Sequence, residues 1–201
     1  MRVGIIDYGS GNTGSILSAF RGIGQAAILS DEKEQLIRCS HLVLPGVGSF
    51  ASAKSKLSKV LGEHGLSELI SSSIPFLGIC VGMQLLCESG SENETTPGYG
   101  VFAGRVDSIP GASTLPHMGW NNLEARDYSN PLLTGISGED DFYFLHSYCL
   151  VAADPAQVVA TAQYGTMFPA VVQNQNVFGV QFHPEKSSLA GRKLLKNFLA
   201  I

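Results

Sequence analysis

A cysteine between two glycines is the first place where this sequence could do chemistry. Cys80 follows the short apolar run that starts at Phe76, and Gly78 and Gly82 lie two residues to either side of it. A tight turn from a strand into a helix tolerates little bulk at those positions and presents the side chain between them at the carboxyl end of the strand. The N-terminus of the following helix favours a thiolate. The pattern therefore predicts a nucleophilic cysteine on a strand-to-helix elbow.

A basic partner for this cysteine lies far downstream, in the segment Val-Gln-Phe-His-Pro-Glu that ends at Glu185. A cysteine of ordinary pKa, ~8.5, is only a few per cent ionised at pH 7, so a catalytic thiol needs a base beside it. In an extended chain, residues i and i+2 point to the same side, so Glu185 can lie beside the imidazole of His183 and fix its tautomer. Cys80, His183 and Glu185 are predicted to be nucleophile, base and orienting carboxylate.

The other three cysteines, Cys39, Cys87 and Cys149, are interpreted as small core residues, which is the usual state of free cysteine. None of the four cysteines belongs to a C-x-x-C pair or to a finger-like Cys/His spacing. We therefore expect no metal site, no cofactor held by cysteines and a reducing compartment.

The composition is typical of one compact α/β domain over residues 1–201. Hydrophobic residues make up 44% of the chain, charged residues 15%, and there are 23 glycines, which fits an enzyme-like chain with many tight turns. A net charge of −4 without a lysine-arginine cluster argues against nucleic acid as a partner. No apolar run is long enough for a signal peptide or a membrane span, so we expect a cytoplasmic protein with no membrane partner.

The first half of the chain alternates strand-like and helix-like patterns, which predicts a mostly parallel central sheet flanked by helices. The second half consists mostly of short strand-like runs and predicts an antiparallel β extension whose final strand returns to the parallel sheet. The predicted strands of this half are Val101 to Ile109, His117 to Glu124, Phe142 to Ala152, Val158 to Tyr164, Ala170 to Gln173 and Val177 to Phe182. A last helix is predicted over Ser188 to Ile201.

Glycine-rich loops follow two of the predicted strands. The loop from Gly9 to Gly14 spells G-x-G-x-x-G between a strand and a helix, which is also the fingerprint of a dinucleotide-binding turn, and this alternative stays open. The loop from Pro45 to Phe50 could present backbone N–H groups at low steric cost, as an oxyanion hole requires. Active sites gather at the carboxyl edge of a parallel sheet, so we expect the second loop to lie beside Cys80.

Two aromatic segments are unusual for plain β structure. His117 to Asn121 holds the only tryptophan, and Phe142 to Tyr148 holds four aromatic residues and a histidine. Both core packing and an interface anchor are consistent with these segments.

Together these motifs resemble those of the triad-type, class I glutamine amidotransferases. The resemblance rests on Gly-Ile-Cys80-Val-Gly-Met-Gln84, Pro45-Gly-Val-Gly and Phe-His183-Pro-Glu185. Within that family, further segments are similar to the glutaminase subunits of imidazole glycerol phosphate synthases: Ile-Asp7-Tyr-Gly-Ser-Gly-Asn12, Pro-Gly-Val-Gly-Ser-Phe50, Pro116-His-Met-Gly-Trp-Asn121, His-Ser-Tyr148 and Phe-His-Pro-Glu-Lys-Ser187. The resemblance implies a flavodoxin-like fold and hydrolysis of L-glutamine to glutamate and ammonia without a cofactor.

The resemblance also implies roles for matched positions. Cys80 would form a glutamyl thioester, with His183 moving protons and Glu185 orienting the imidazole. The oxyanion hole would be formed by the backbone N–H group of Val81 and by that of Val47 or Gly48. The positions implied to contact glutamine are Gln84, Glu92 and Ser147. The positions implied to face a partner chain are Asn12, Trp120, Tyr143 and Lys186. Ser10, Thr13 and Gly14 depart from the larger residues more usual in the first loop of the family.

The implied partner is a separate (β/α)₈ cyclase subunit, which would take the ammonia and make imidazole glycerol phosphate and an aminoimidazole carboxamide ribotide in histidine biosynthesis. Two other interpretations stay open: a triad glutaminase that serves a different synthase, and a docking subunit without catalysis.

Overall fold

The computed structural model describes residues 1–126 and 128–201. The strands are β1 Val3–Ile6, β2 Ala27–Ser30, β3 His41–Leu44, β4 Phe76–Ile79, β5 Cys87–Gly90, β6 Thr96–Pro97, β7 Phe102–Ser108, β8 His117–Asn122, β9 Glu124–Ala125, β10 Asp141–His146, β11 Tyr148–Ala152, β12 Val158–Tyr164, β13 Thr166–Asn174 and β14 Val177–Val180. The α-helices are α1 Thr13–Gly22, α2 Lys33–Leu36, α3 Phe50–Ser71, α4 Val81–Leu85 and α5 Ser188–Leu199. Single 3₁₀ turns lie at Pro131–Leu133, Pro155–Gln157 and Pro184–Lys186.

The central sheet has the strand order β2-β1-β3-β4-β14-β13-β12-β9. The first five strands in this order pair in parallel, and the last three add antiparallel pairs. β1, β3, β4 and β14 are buried along their whole length, as expected for parallel strands covered on both faces. The predicted α/β fold, with a mostly parallel sheet and an antiparallel extension, is confirmed.

The pairing of β14 with β4 positions the site. These strands are parallel, with Gly179 opposite Gly78 and Val180 opposite Ile79. The residues that follow the two strands therefore emerge side by side at the same carboxyl edge. This register brings Cys80 and the segment from Gln181 to Glu185 together from positions about a hundred residues apart in the chain.

The prediction of one strand over Phe142 to Ala152 is wrong. The segment forms two strands in different sheets: β10 pairs with β8, and β11 pairs with β7. Alternate residues of β10 are buried up to His146, but Cys149 and Leu150 are buried consecutively in β11. The alternation that keeps a strand on one sheet is thus lost at Ser147, where the chain changes sheets.

The helix that follows Cys80 is short. α4 is five residues long and every residue in it is buried, so it has no polar face to expose. The chain then enters β5, and β6 follows. α3 consists of two helical stretches that meet at Gly62, whose φ of 75° and ψ of 174° are not helical.

The buried apolar side chains form one continuous cluster on both faces of the central sheet. Cys39, Cys87 and Cys149 lie in this cluster as free thiols, as predicted. Among residues 1–126 and 128–201, no helix has the length and apolar character needed to cross a membrane.

Candidate active site

Cys80 occupies a strained turn between β4 and α4. Its φ is 53° and its ψ is −114°, in a region that side chains other than glycine rarely adopt. The glycines beside it are required by space: a Cβ on Gly78 would lie 2.8 Å from Cα of Met83, and one on Gly82 would lie 2.0 Å from the carbonyl oxygen of Leu44. The predicted elbow is confirmed in its geometry.

Gly82→Ala is expected to destabilise the protein by about 3 kcal/mol or more, because the new methyl group meets rigid backbone of β3. Urea denaturation measures the change. Gly22→Ala is the matched control, since a Cβ there meets no atom within 4 Å, and we expect it to change the free energy of unfolding by less than ~1 kcal/mol. Equal stability of the two variants would contradict the steric argument.

His183 follows β14 and hydrogen-bonds through Nδ1 to Oε1 of Glu185 at 2.9 Å. The two side chains are 4% and 1% exposed. The backbone is extended only at His183, because the next three residues form the 3₁₀ turn Pro184–Lys186. The predicted neighbours are therefore correct, but the turn, rather than the side-chain alternation of an extended chain, places Glu185 beside the ring.

The imidazole of His183 lies between two groups that favour its charged form. Burial lowers the pKa of His183, but hydrogen bonds and charge interactions with Cys80 and Glu185 outweigh burial and raise it to about 10. The ring therefore holds its proton at neutral pH. Oε2 of Glu185 is buried and has no hydrogen-bond partner in the described part of the chain, so the ion pair with His183 is what compensates the buried carboxylate.

A cleft of about 220 Å³ opens beside Cys80 and His183. It is lined by the positions that the sequence predicted for the oxyanion hole and for substrate contact, namely Val47, Gly48, Val81, Gln84, Glu92 and Ser147. The cleft also contains His146 and Tyr148, which sequence reasoning did not assign. Their signals in the sequence were the unusual aromatic segment that ends at Tyr148 and the motif His-Ser-Tyr148, neither of which gave these two residues a role.

The Pro45 loop packs directly on the start of α4. A Cβ on Gly46 would lie 2.4 Å from the backbone nitrogen of Gly82, so only glycine permits this approach. Gly48 adopts the left-handed region, with φ of 89°. The loop thus runs along the cleft next to Val81, as an oxyanion-hole loop must.

The segment that carries the first glycine-rich loop hydrogen-bonds to the Pro45 loop. The hydroxyl of Tyr8 donates to the carbonyl of Pro45 at 2.7 Å, and the hydroxyl of Ser10 donates to the carbonyl of Val47 at 2.9 Å. A Cβ on Gly11 would lie 2.8 Å from Cβ of Pro45. Gly11 therefore makes room for the Pro45 loop, a role for this glycine that needs no dinucleotide.

Two side chains predicted to contact the substrate already make hydrogen bonds within the chain. The amide nitrogen of Gln84 donates to the carbonyl of Tyr148 at 2.9 Å and to Oε1 of Gln181 at 3.1 Å, so only its carbonyl oxygen can serve a ligand. Oε2 of Glu92 accepts from the backbone nitrogen of Phe50 at 2.9 Å. This bond places the carboxylate at the N-terminus of α3, where negative charge is favoured.

Three of the four positions predicted to face a partner form a surface cluster beside the cleft, in which Trp120 and Lys186 are exposed and Tyr143 is half-buried. Trp120 is 55% exposed and its ring centroid lies 5.9 Å from that of Tyr143. Nζ of Lys186 lies 5.7 Å from the Tyr143 ring centroid, and Lys186 also lines the cleft. Asn12 directly precedes α1, and the first turns of this helix line a surface groove together with Trp120 and Lys186. The tryptophan segment therefore has the exposure of an interface anchor, whereas Phe142 and Phe144 are core.

Known proteins match both the sequence and the fold. The family model described as glutamine amidotransferase class-I matches residues 4–201. The chain belongs to the class-I glutamine amidotransferase family. Among relatives of this amidotransferase, the imidazole glycerol phosphate synthase subunit HisH of Salinibacter ruber is 45% identical over 98% of the chain and 93% of the relative. Subunit HisH 1 of Methanococcus maripaludis is 38% identical over 99% of each.

A solved structure supports the amidotransferase fold. The structure of PurLQS from Thermotoga maritima superposes with a TM-score of 0.74 at 20% identity, covering 99% of this chain and 97% of that one. At this identity the match concerns the fold alone.

Proposed function

We propose that this chain is the glutaminase subunit of an imidazole glycerol phosphate synthase and acts in histidine biosynthesis. The observation that carries the proposal is one cleft that holds Cys80 on a strained elbow and the buried His183–Glu185 pair. The full-length similarity to relatives named as HisH subunits supports the specific synthase.

The proposed reaction uses the groups that line the cleft. The sulfur of Cys80 attacks the side-chain carbonyl carbon of glutamine, and backbone N–H groups of Val81 and of Val47 or Gly48 stabilise the tetrahedral oxyanion. The protonated imidazole of His183 then gives its proton to the departing nitrogen, which leaves as ammonia. The remaining thioester is hydrolysed by water, with neutral His183 accepting the proton, and glutamate is released.

The other groups of the cleft are proposed to hold glutamine. The free carbonyl oxygen of Gln84 suits an N–H donor of the substrate, and the Glu92 carboxylate suits its α-ammonium group. Ser147 is proposed as a further contact, because it lines the cleft at the break between β10 and β11.

The partner in this proposal is a (β/α)₈ cyclase that consumes the ammonia, and the relatives are named as subunits. We assign Asn12, Trp120, Tyr143 and Lys186 to the surface that it covers. We further propose that residues 1–201 act as one domain in the cytosol, where free thiols such as those of the four cysteines are kept reduced.

The deciding experiment measures glutamate released from glutamine by the pure chain, first alone and then with a (β/α)₈ cyclase that carries its nucleotide substrate. We expect weak turnover alone and a large increase in the complex. Turnover that depends on Cys80 but is not increased by the cyclase would contradict the synthase assignment and favour a glutaminase of another synthase. Binding of a nicotinamide dinucleotide without glutamine turnover would overturn the proposal.

Trp120→Ala is expected to weaken binding of the cyclase about 30-fold, because exposed tryptophans commonly dominate interface energies at about 2 kcal/mol or more. Titration calorimetry measures the dissociation constant. Ile37→Ala is the control, since Ile37 is 50% exposed and lies just after α2, away from the cluster. Equal effects of the two substitutions would contradict the proposed surface.

A further inference from the structure

Gln181 is a completely buried amide that the proposed reaction has not used. It directly follows β14, precedes His183 by two residues and has no exposed surface. A buried amide must have its donors and acceptor satisfied, or it costs stability. Its side chain makes two contacts: Oε1 accepts from Nε2 of Gln84 at 3.1 Å, and Nε2 lies 3.7 Å from the sulfur of Cys80.

A backbone carbonyl fixes the orientation of the whole amide network. The carbonyl oxygen of Tyr148 can only accept, and it accepts from Nε2 of Gln84 at 2.9 Å. The nitrogen end of Gln84 is thereby fixed, and it in turn requires the oxygen end of Gln181 to face it. The nitrogen end of Gln181 must then face the sulfur of Cys80.

The carbonyl of Tyr148 also determines which ring nitrogens donate and which accept in a pair of buried histidines. Nδ1 of His146 donates to Tyr148 at 2.9 Å, so Nε2 of His146 is left to accept from Nδ1 of His117 at 3.2 Å. Burial lowers the pKa of His146 to about 3, so this ring stays neutral and keeps the same donor and acceptor. The network therefore has a single arrangement at working pH.

We propose that Gln181 is a catalytic residue that donates an N–H hydrogen bond to the sulfur of Cys80 from its buried side and stabilises the sulfur in its anionic form. This inference rests on the proposed role of Cys80 as nucleophile. A hydrogen bond to an anion stabilises it more than one to a neutral thiol. Gln181 therefore acts as a second stabilising contact of the sulfur, beside His183, and Gln84 acts as the positioning residue that orients it.

The test is alkylation of Cys80 by iodoacetamide, because this reaction uses the sulfur but needs neither glutamine nor a partner. The rate at Cys80 is followed by mass spectrometry of its peptide in the full chain, at pH 6 and pH 10. Titratable groups around the sulfur remain in all variants; they are His183 with its partner Glu185, and Tyr8, His146, Tyr148, Glu92 and Lys186. The variants are Gln181→Met, which removes the donor to the sulfur, and Gln173→Met. Gln173 is the matched control, because its amide bonds to Asn130 and to the carbonyl of Gln175 rather than to groups of the cleft.

We expect Gln181→Met to alkylate about tenfold more slowly than the unmodified chain at pH 6 and at a similar rate at pH 10. Gln173→Met should stay within about threefold at both pH values. An unchanged rate in Gln181→Met, or an equal loss in both variants, would overturn the proposal. If the glutaminase assay fails while this difference is found, the proposed function is wrong but the contact stands.

A second measurement keeps the proposal testable if Gln181→Met does not fold. In protein labelled with ¹⁵N-glutamine, the side-chain amide signal of one exchange-protected glutamine should shift when Cys80 is replaced by alanine. Absence of any shifted, protected amide signal would overturn the proposal.

Discussion

Cys80→Ala is expected to lower glutamate release by at least about 10⁴-fold, because no other group in the cleft can form the thioester. The loss should fall on kcat rather than on glutamine binding, since the contacts proposed for the amino acid are untouched. A coupled assay for glutamate, with the cyclase bound, measures both quantities.

The Cys80→Ala complex should still convert the nucleotide substrate of the cyclase. Ammonium salt supplied in place of glutamine should support nucleotide turnover by the Cys80→Ala complex at a rate close to that of the unmodified complex. Cys39→Ala is the control for loss of a buried thiol, because Cys39 is buried but lies at the start of β3 rather than in the cleft. Glutamate release that survives in Cys80→Ala would contradict the assignment of the nucleophile.

Glu185→Gln is expected to lower kcat for glutamate release about 10³-fold. The carboxylate is the buried partner of Nδ1 of His183 at 2.9 Å, so its replacement by a neutral amide removes both charge and tautomer control. Glu94→Gln, on the exposed polar loop, is the matched control and should change kcat by less than about threefold.

The same substitution should change the titration of His183. The Glu185 carboxylate is one of the causes that raise the pKa of His183 to about 10, so its removal must move the midpoint down. NMR of the ¹⁵N-labelled imidazole should show no titration between pH 6 and 8 in the unmodified chain and a lower midpoint in Glu185→Gln. An unmoved midpoint, or an unchanged kcat, would show that Glu185 does not control the base.

The sequence predicted the local parts of the candidate site well. The glycines beside Cys80 were recognisable from the tight turn alone. The structure adds that Gly78 makes room for the nearby backbone of Met83 and Gly82 for the carbonyl of Leu44 on the neighbouring strand β3. Fully apolar strands such as β1 and β4 were recognisable for a similar reason, since burial on both faces leaves a continuous apolar run. Such features depend on a few neighbouring residues and on backbone sterics, which a sequence displays directly.

Features that depend on strand pairing could be read only from the tertiary structure. No pattern around Phe142 to Ala152 reveals that the chain changes sheets at Ser147, because both halves are β structure and differ only in their partners. α4 is short and completely buried. Its burial depends on the elements packed around it, which the local sequence does not show.

The contact of Gln181 with Cys80 illustrates the difference most clearly. The sequence motif places Gln181 two residues before His183. Only the parallel pairing of β14 with β4 brings the Gln181 amide to the sulfur of Cys80. Its orientation is set by the carbonyl of Tyr148, through Gln84. The sequence by itself determined the reactive residues and the turns that carry them. Their arrangement into one cleft required the tertiary structure, because it results from packing among segments distant in the chain.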